Sequence, residues 1–132
     1  KLFGYPEWQT YTDDHLSSFF ELDTYFYSSF YTNNLFPEAI KFTNAYRKWY
    51  SKDMANTFPK YGMLGFDTAF FFLKGLHKYG SNFEDNMNQM ILTPIQTGFK
   101  FERVNNWGGF INRKVFFVNF TKNFELIKLD FE

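Results

Sequence analysis

Residues 58–80, FPKYGMLGFDTAFFFLKGLHKYG, decide how this chain is read. A loop punctuated by Pro59 and Gly62 runs into an almost wholly apolar segment, with the aromatic–acid pair Phe66–Asp67 at the junction. The segment predicts a helix that begins between Gly62 and Asp67 and ends at Tyr79, with Gly80 as its C-terminal stop. Phe70, Phe71, Phe72 and Leu73 are contiguous, so more than one face of this helix is apolar. Such a helix is expected to be buried among neighbours.

Upstream, Leu2–Tyr5 reads as a short strand broken at Pro6, followed by a loop, YPEWQTY. Thr12, Asp13 and Asp14 mark a helix start, with the acids near the positive end of the dipole. Leu16, Phe19 and Phe20 recur at helical spacing, and this helix should stop near Leu22. Thr24–Tyr31, TYFYSSFY, is rich in β-formers and reads as a second strand. Pro37 and Glu38 suit a first helical turn. Ala39, Phe42, Tyr46 and Trp49 then form an apolar stripe, so the spacing predicts a helix over Pro37–Lys52.

Downstream, Ser81 and Glu84 match a capping box for a further helix carrying Met87, Met90 and Ile91. After Pro94 the period becomes 2: Phe99 and Phe101 alternate with Lys100 and Glu102. Asn105–Arg113 reads as a long turn containing the pair Gly108–Gly109. Val115–Phe120 and Leu126–Phe131 read as strands joined by a turn at Lys122–Asn123. Alternating helices and strands with a strand-rich tail indicate an α/β fold.

Composition limits the function. The chain has 132 residues, enough for one domain that buries about two-thirds of its unfolded surface. Its 14 basic and 14 acidic residues cancel, so there is no cationic surplus for nucleic acid. Cysteine is absent, which removes disulfides, thiolate catalysis and Cys-ligated metals. No phosphate-binding glycine loop or nucleophile elbow occurs. His15 and His77 lie on different helices without ligand spacing, so no metal or cofactor is expected, and nothing singles out a carboxylate pair for glycoside hydrolysis, whose geometry is tertiary. Aromatic residues reach 25%, chiefly 21 Phe, and the plain reading is a Phe-packed core. Asn119–Phe120–Thr121 matches a glycosylation sequon, but inside a predicted strand the match is taken as chance. The chain starts at Lys1 and shows no signal-like segment, so a processed chain or a piece of a longer protein is expected.

The order of elements, the helix Phe42…Tyr46…Trp49–Tyr50, the piece Gly65–Thr68 (GFDT) with its following helix, TGFKFERV, and the pair KVFFVNF and ELIKL carry a resemblance. The chain resembles the C-terminal portion of a type I periplasmic-binding-fold protein of the branched-chain amino-acid receptor kind, over nearly all of its length. The resemblance implies an α/β fragment of a two-lobed protein, a parallel sheet flanked by helices plus a strand-rich tail. By analogy, residues 1–31 belong to the second lobe, 33–115 to the first, and 116–132 cross back. It further implies a non-enzymatic receptor that closes on a small polar solute, an amino acid or cell-wall-related compound. A periplasmic or envelope location, as a lipoprotein with a membrane transporter as partner, would follow. A fragment divided this way leaves edges and helix faces open, so a homodimer or exchange of elements is expected.

In that reading the ligand-binding residues are Tyr5, Glu7, Trp8, Tyr31, Phe66 and Asp67. Strand ends supply Tyr5–Trp8 and Tyr31, and the helix start at Phe66–Asp67 would offer free N–H groups to an anion. Glu7 could pair with an ammonium, and Tyr5, Trp8 and Tyr31 could wall the pocket. Each has a plainer role: Asp67 as a helix cap, Tyr31 as a strand-end core residue, Glu7 as solvated surface. Phe66 stands where the family pattern has tyrosine, so no hydroxyl is available there. Two other functions compete. One is a structural or protein-interaction module on the same fold without a small ligand. The other is a carbohydrate-binding module using Trp8, Trp49 or Trp107, against which the place of Trp49 in the apolar stripe argues.

Overall fold

The computed structural model describes residues 1–129. The chain forms a mixed α/β structure and divides into two compact units, Lys1–Phe30 with Val115–Glu132, and Tyr31–Lys114.

The first unit holds β1 (Leu2–Gly4), a 3-10 segment (Pro6–Tyr11), α1 (Thr12–Glu21), β2 (Thr24–Ser28) and two later strands, which are β5 (Phe116–Phe120) and β6 (Leu126–Leu129). Its sheet has the order β1-β2-β5-β6. The expected parallel sheet is thus corrected to a mixed one. Only β1 and β2 are parallel, joined through α1, whereas β2–β5 and β5–β6 are antiparallel. The reason is the hairpin: a turn in which Thr121 N–H donates to the Glu125 carbonyl is too short for a parallel return.

Strand β2 alternates as a half-buried strand must, with Thr24, Phe26 and Ser28 inward. Phe19 of α1 meets Phe26 and Phe120 edge-on, at centroid distances of 5.1 and 5.8 Å, and these rings with Val118 make the core. The strand stops at Ser28 rather than Tyr31 because the Ser28 hydroxyl accepts the Phe30 N–H and turns the chain. Asn119 is buried, and its amide donates to the Asp23 carboxylate and the Thr24 carbonyl, so the sequon asparagine is committed to the core. Phe131 lies outside the described residues.

The second unit holds α2 (Pro37–Tyr50), α3 (Tyr61–Tyr79), the single turn α4 (Phe83–Asn86), and the hairpin β3 (Phe101–Arg103)–β4 (Phe110–Asn112). Helix α2 has Pro37 in its first turn, Glu38 beside it, and Arg47 and Lys48 in its last turn. Helix α3 ends where predicted, because Gly80 adopts φ +55, ψ −128, a conformation that a side chain would strain.

Three expectations change here. Helix α3 begins at Tyr61, so Phe66 and Asp67 lie in its second turn and not at its start. The capping box at Ser81 does not form, because Glu84 pairs with Arg103, and the predicted helix shrinks to one turn between two 3-10 segments. The long turn at Asn105–Arg113 contains β4; Arg103 pairs with Phe110 and lies 4.5 Å over its ring, which leaves Val104–Gly109 as the turn.

Two clusters form the core of this unit. Ala39, Met63 and Ile95 pack with Phe36, Phe42 and Met54. Phe71, Phe83 and Met87 pack with Phe99, Phe101 and Phe110, with Phe71 stacked on Phe99 at 4.3 Å. Gly75 is required in the second cluster, since a Cβ there would overlap the Phe83 ring.

Candidate functional site

Asp67 is 3% exposed and projects from α3 onto the segment Ile95–Gln96–Thr97. That segment is buried but belongs to neither sheet, so its N–H groups need acceptors. The Asp67 carboxylate accepts all three: Ile95 N–H, Gln96 N–H and Thr97 N–H donate at 2.8 Å each. The Gln96 side chain continues the network, accepting the Lys60 N–H at 2.9 Å and donating to the Lys60 carbonyl at 3.2 Å. The Gln96 carbonyl accepts the Tyr31 N–H at 3.0 Å. Asp67 therefore acts as a buried staple between α3 and the 95–97 segment, and Gln96 fixes the residue from which α3 starts. A carboxylate holding three donors has little capacity left for a ligand.

The structure brings Asp67 and Tyr31 to the same segment through Gln96. Phe66, next to Asp67, faces away. It packs on Phe42 of α2 at 5.1 Å, stacks on Phe70 at 5.8 Å, and remains 44% exposed. Tyr5, Glu7 and Trp8 belong to the other unit. Tyr5 is exposed with its ring edge-on to Trp8 at 6.2 Å, Trp8 is half-buried, and Glu7 is exposed in the 3-10 segment. Lys1 donates to the Tyr25 hydroxyl at 3.2 Å, and this hydrogen bond raises its pKa. Among the described residues no cluster of three or more acidic and histidine side chains could hold a metal ion. Among the described residues no helix is long and apolar enough to cross a membrane.

A broad apolar surface lies where the sequence predicts burial. Helix α3 buries one face through Met63, Asp67, Phe71 and Gly75. Its opposite face is open, and between Gly65 and Leu76 it carries Gly65, Phe66, Ala69, Phe70, Leu73 and Leu76, with Phe72 at its edge, where the ring also packs on Phe83 and Phe101. Leu73 is 68% exposed, Leu76 52% and Phe70 47%. The surface continues onto α2 as a row of touching rings: Phe66 on Phe42, Phe42 near Tyr46 at 6.5 Å, Tyr46 on Tyr50 at 4.6 Å. Trp49, expected in the buried stripe of α2, is 80% exposed, which corrects that stripe and removes the argument that it raised against a carbohydrate platform. Apolar periodicity could not find this face, because a helix that is apolar all round gives no direction.

Two hollows lie in the same unit. One, about 390 Å³, is bordered by Asn34, Thr43 and Asn44 beside α2, by Lys60, and by the ion pair Arg47–Asp53 at its rim. The other, about 660 Å³, flanks β3, where Asn88 exchanges hydrogen bonds with the Phe101 backbone and Glu102 pairs with Arg113 at 2.6 Å. Comparison with known proteins found no matching family, no matching curated protein and no matching solved structure.

Proposed function

We propose that this chain is a non-enzymatic protein-interaction module whose working surface is the open face of α3 with the adjoining aromatic row of α2. The observation that carries the reading is the run of exposed apolar side chains from Phe66 to Leu76, rimmed by Lys74, His77 and Lys78. Scattered exposed apolar residues are ordinary, but a contiguous patch along three helical turns marks a contact surface. The Asp67 staple supports the same reading, since it supplies the rigid backing that a docking helix needs. The test is saturable binding of an anilinonaphthalene sulfonate dye to the folded chain, lost when Phe70 and Leu73 are changed to Lys. A folded monomer that does not take up the dye would sink it.

A second reading keeps the small polar solute. The hollow beside α2 supports it, being of ligand size with Asn34, Thr43, Asn44 and Lys60 convergent on it. With the resemblance to type I periplasmic binding proteins, this would be an envelope receptor with a transporter partner. A thermal-shift screen of amino acids and cell-wall fragments, repeated on Asn44→Ala, tests it. No stabilisation of the parent chain by any compound would count against the receptor.

A further inference from the structure

We infer that the partner for this face is a second copy of the same chain, with α3 packed antiparallel on α3 about a two-fold axis between Ala69 and Phe72. The inference rests on the interaction-module reading and names its partner.

Gly65, Ala69, Phe72 and Leu76 follow one another at intervals of four, three and four, which is the seam of a helix pair. Gly65, Ala69 and Leu76 are exposed, and Phe72 is 38% exposed, its ring also edge-on to Phe83 and Phe101 at 5.8 and 6.0 Å. Their sizes run small, small, large, large. Read against its own reverse, that order sets Gly65 opposite Leu76 and Ala69 opposite Phe72, so each large side chain meets a small one. A parallel pair would instead set Phe72 on Phe72 and leave a gap at Gly65. The seam is therefore self-complementary in one direction only, the condition for an isologous two-fold contact.

The helix dipoles select the same direction, since antiparallel alignment opposes them. At about 3.6 residues per turn, Lys74 and Lys78 fall on the side of α3 away from the seam and leave it uncharged.

The area suits a weak, reversible pair. At about 200 Å² per aromatic side chain, the open fractions of Tyr61 and Phe72 leave on the order of 200 Å² beside the seam. With Leu73, Leu76 and the small residues, a symmetric pair would cover roughly 900–1,000 Å² in total, at the low end of specific interfaces.

The test uses the full chain and sedimentation over a wide concentration range, with dye binding as a parallel readout. The inference expects a monomer–dimer equilibrium and dye uptake that falls as dimer forms. Ala69→Glu should weaken the dimer roughly 100-fold or more, because it desolvates a charge in the seam, with unchanged circular dichroism. The absence of native cysteine allows a direct reading of direction. Mixed Ala69→Cys and Phe72→Cys chains should cross-link to each other, and Ala69→Cys alone should not. A chain that stays monomeric and still binds the dye overturns the second copy while the interaction surface stands. A monomer that does not bind the dye overturns both. A dimer indifferent to Ala69→Glu, or one cross-linked through Ala69→Cys alone, overturns the geometry.

Discussion

The Asp67 carboxylate and the Gln96 amide serve a segment that has no sheet to satisfy its backbone. Replacing Asp67 by Asn keeps the shape but turns an NH2 toward N–H donors. Leaving buried donors unsatisfied costs about 1–3 kcal/mol, so Asp67→Asn should lose on the order of 2–3 kcal/mol in urea unfolding. A loss within about 0.5 kcal/mol, the range of ordinary surface changes, would mean that the staple is not needed. Gly75 gives a case where two effects oppose. Helix propensity alone favours Ala over Gly by about 1 kcal/mol, but the added methyl meets the Phe83 ring, and overpacking costs about 1–3 kcal/mol. Net destabilisation is expected for Gly75→Ala, and a rise in melting temperature would show that Phe83 moves aside freely. At this scale the sequence offered Asp67 as a ligand-binding residue or a helix cap, and its place inside α3 corrects the cap, because the donors that it serves begin 28 residues away.

At the scale of elements, helix α3 was legible over nearly all its length, because a long apolar run bounded by Pro59 and Gly80 leaves few alternatives. Its end depends on one conformation. Gly80→Ala must adopt φ near +55 with ψ near −128 and should lose about 1 kcal/mol or more in chemical unfolding; an unchanged midpoint would show that the helix stops for another reason. The hairpin β3–β4 was read only on its first strand. Phe110–Asn112 is too short to show a period, and it becomes a strand because Asn112 and Phe110 find partners in Phe101 and Arg103. The capping box at Ser81 was a correct motif defeated by tertiary competition for Glu84.

For the molecule as a whole, the open face of α3 sets the expected behaviour in solution. Contact through an apolar seam should not weaken when ionic strength rises from about 0.1 to 1 M, although the Debye length falls to about 3 Å. Sulfate should strengthen it. A dissociation constant that climbs steeply with salt would point to charged residues instead. The exposed ion pair Arg47–Asp53, by contrast, should matter little: Asp53→Asn is expected to change stability by less than about 1 kcal/mol in thermal unfolding.

The sequence by itself determined the α/β class, the positions of α1, α2 and α3, and the two inner strands, because these rest on local periodicity and turn chemistry. Tertiary structure alone decided that the sheet is mixed, that Asp67 holds the 95–97 segment, and that one side of α3 is left open. Those outcomes depend on which distant group reaches a donor, an edge or a face first, and no window of neighbouring residues contains that information.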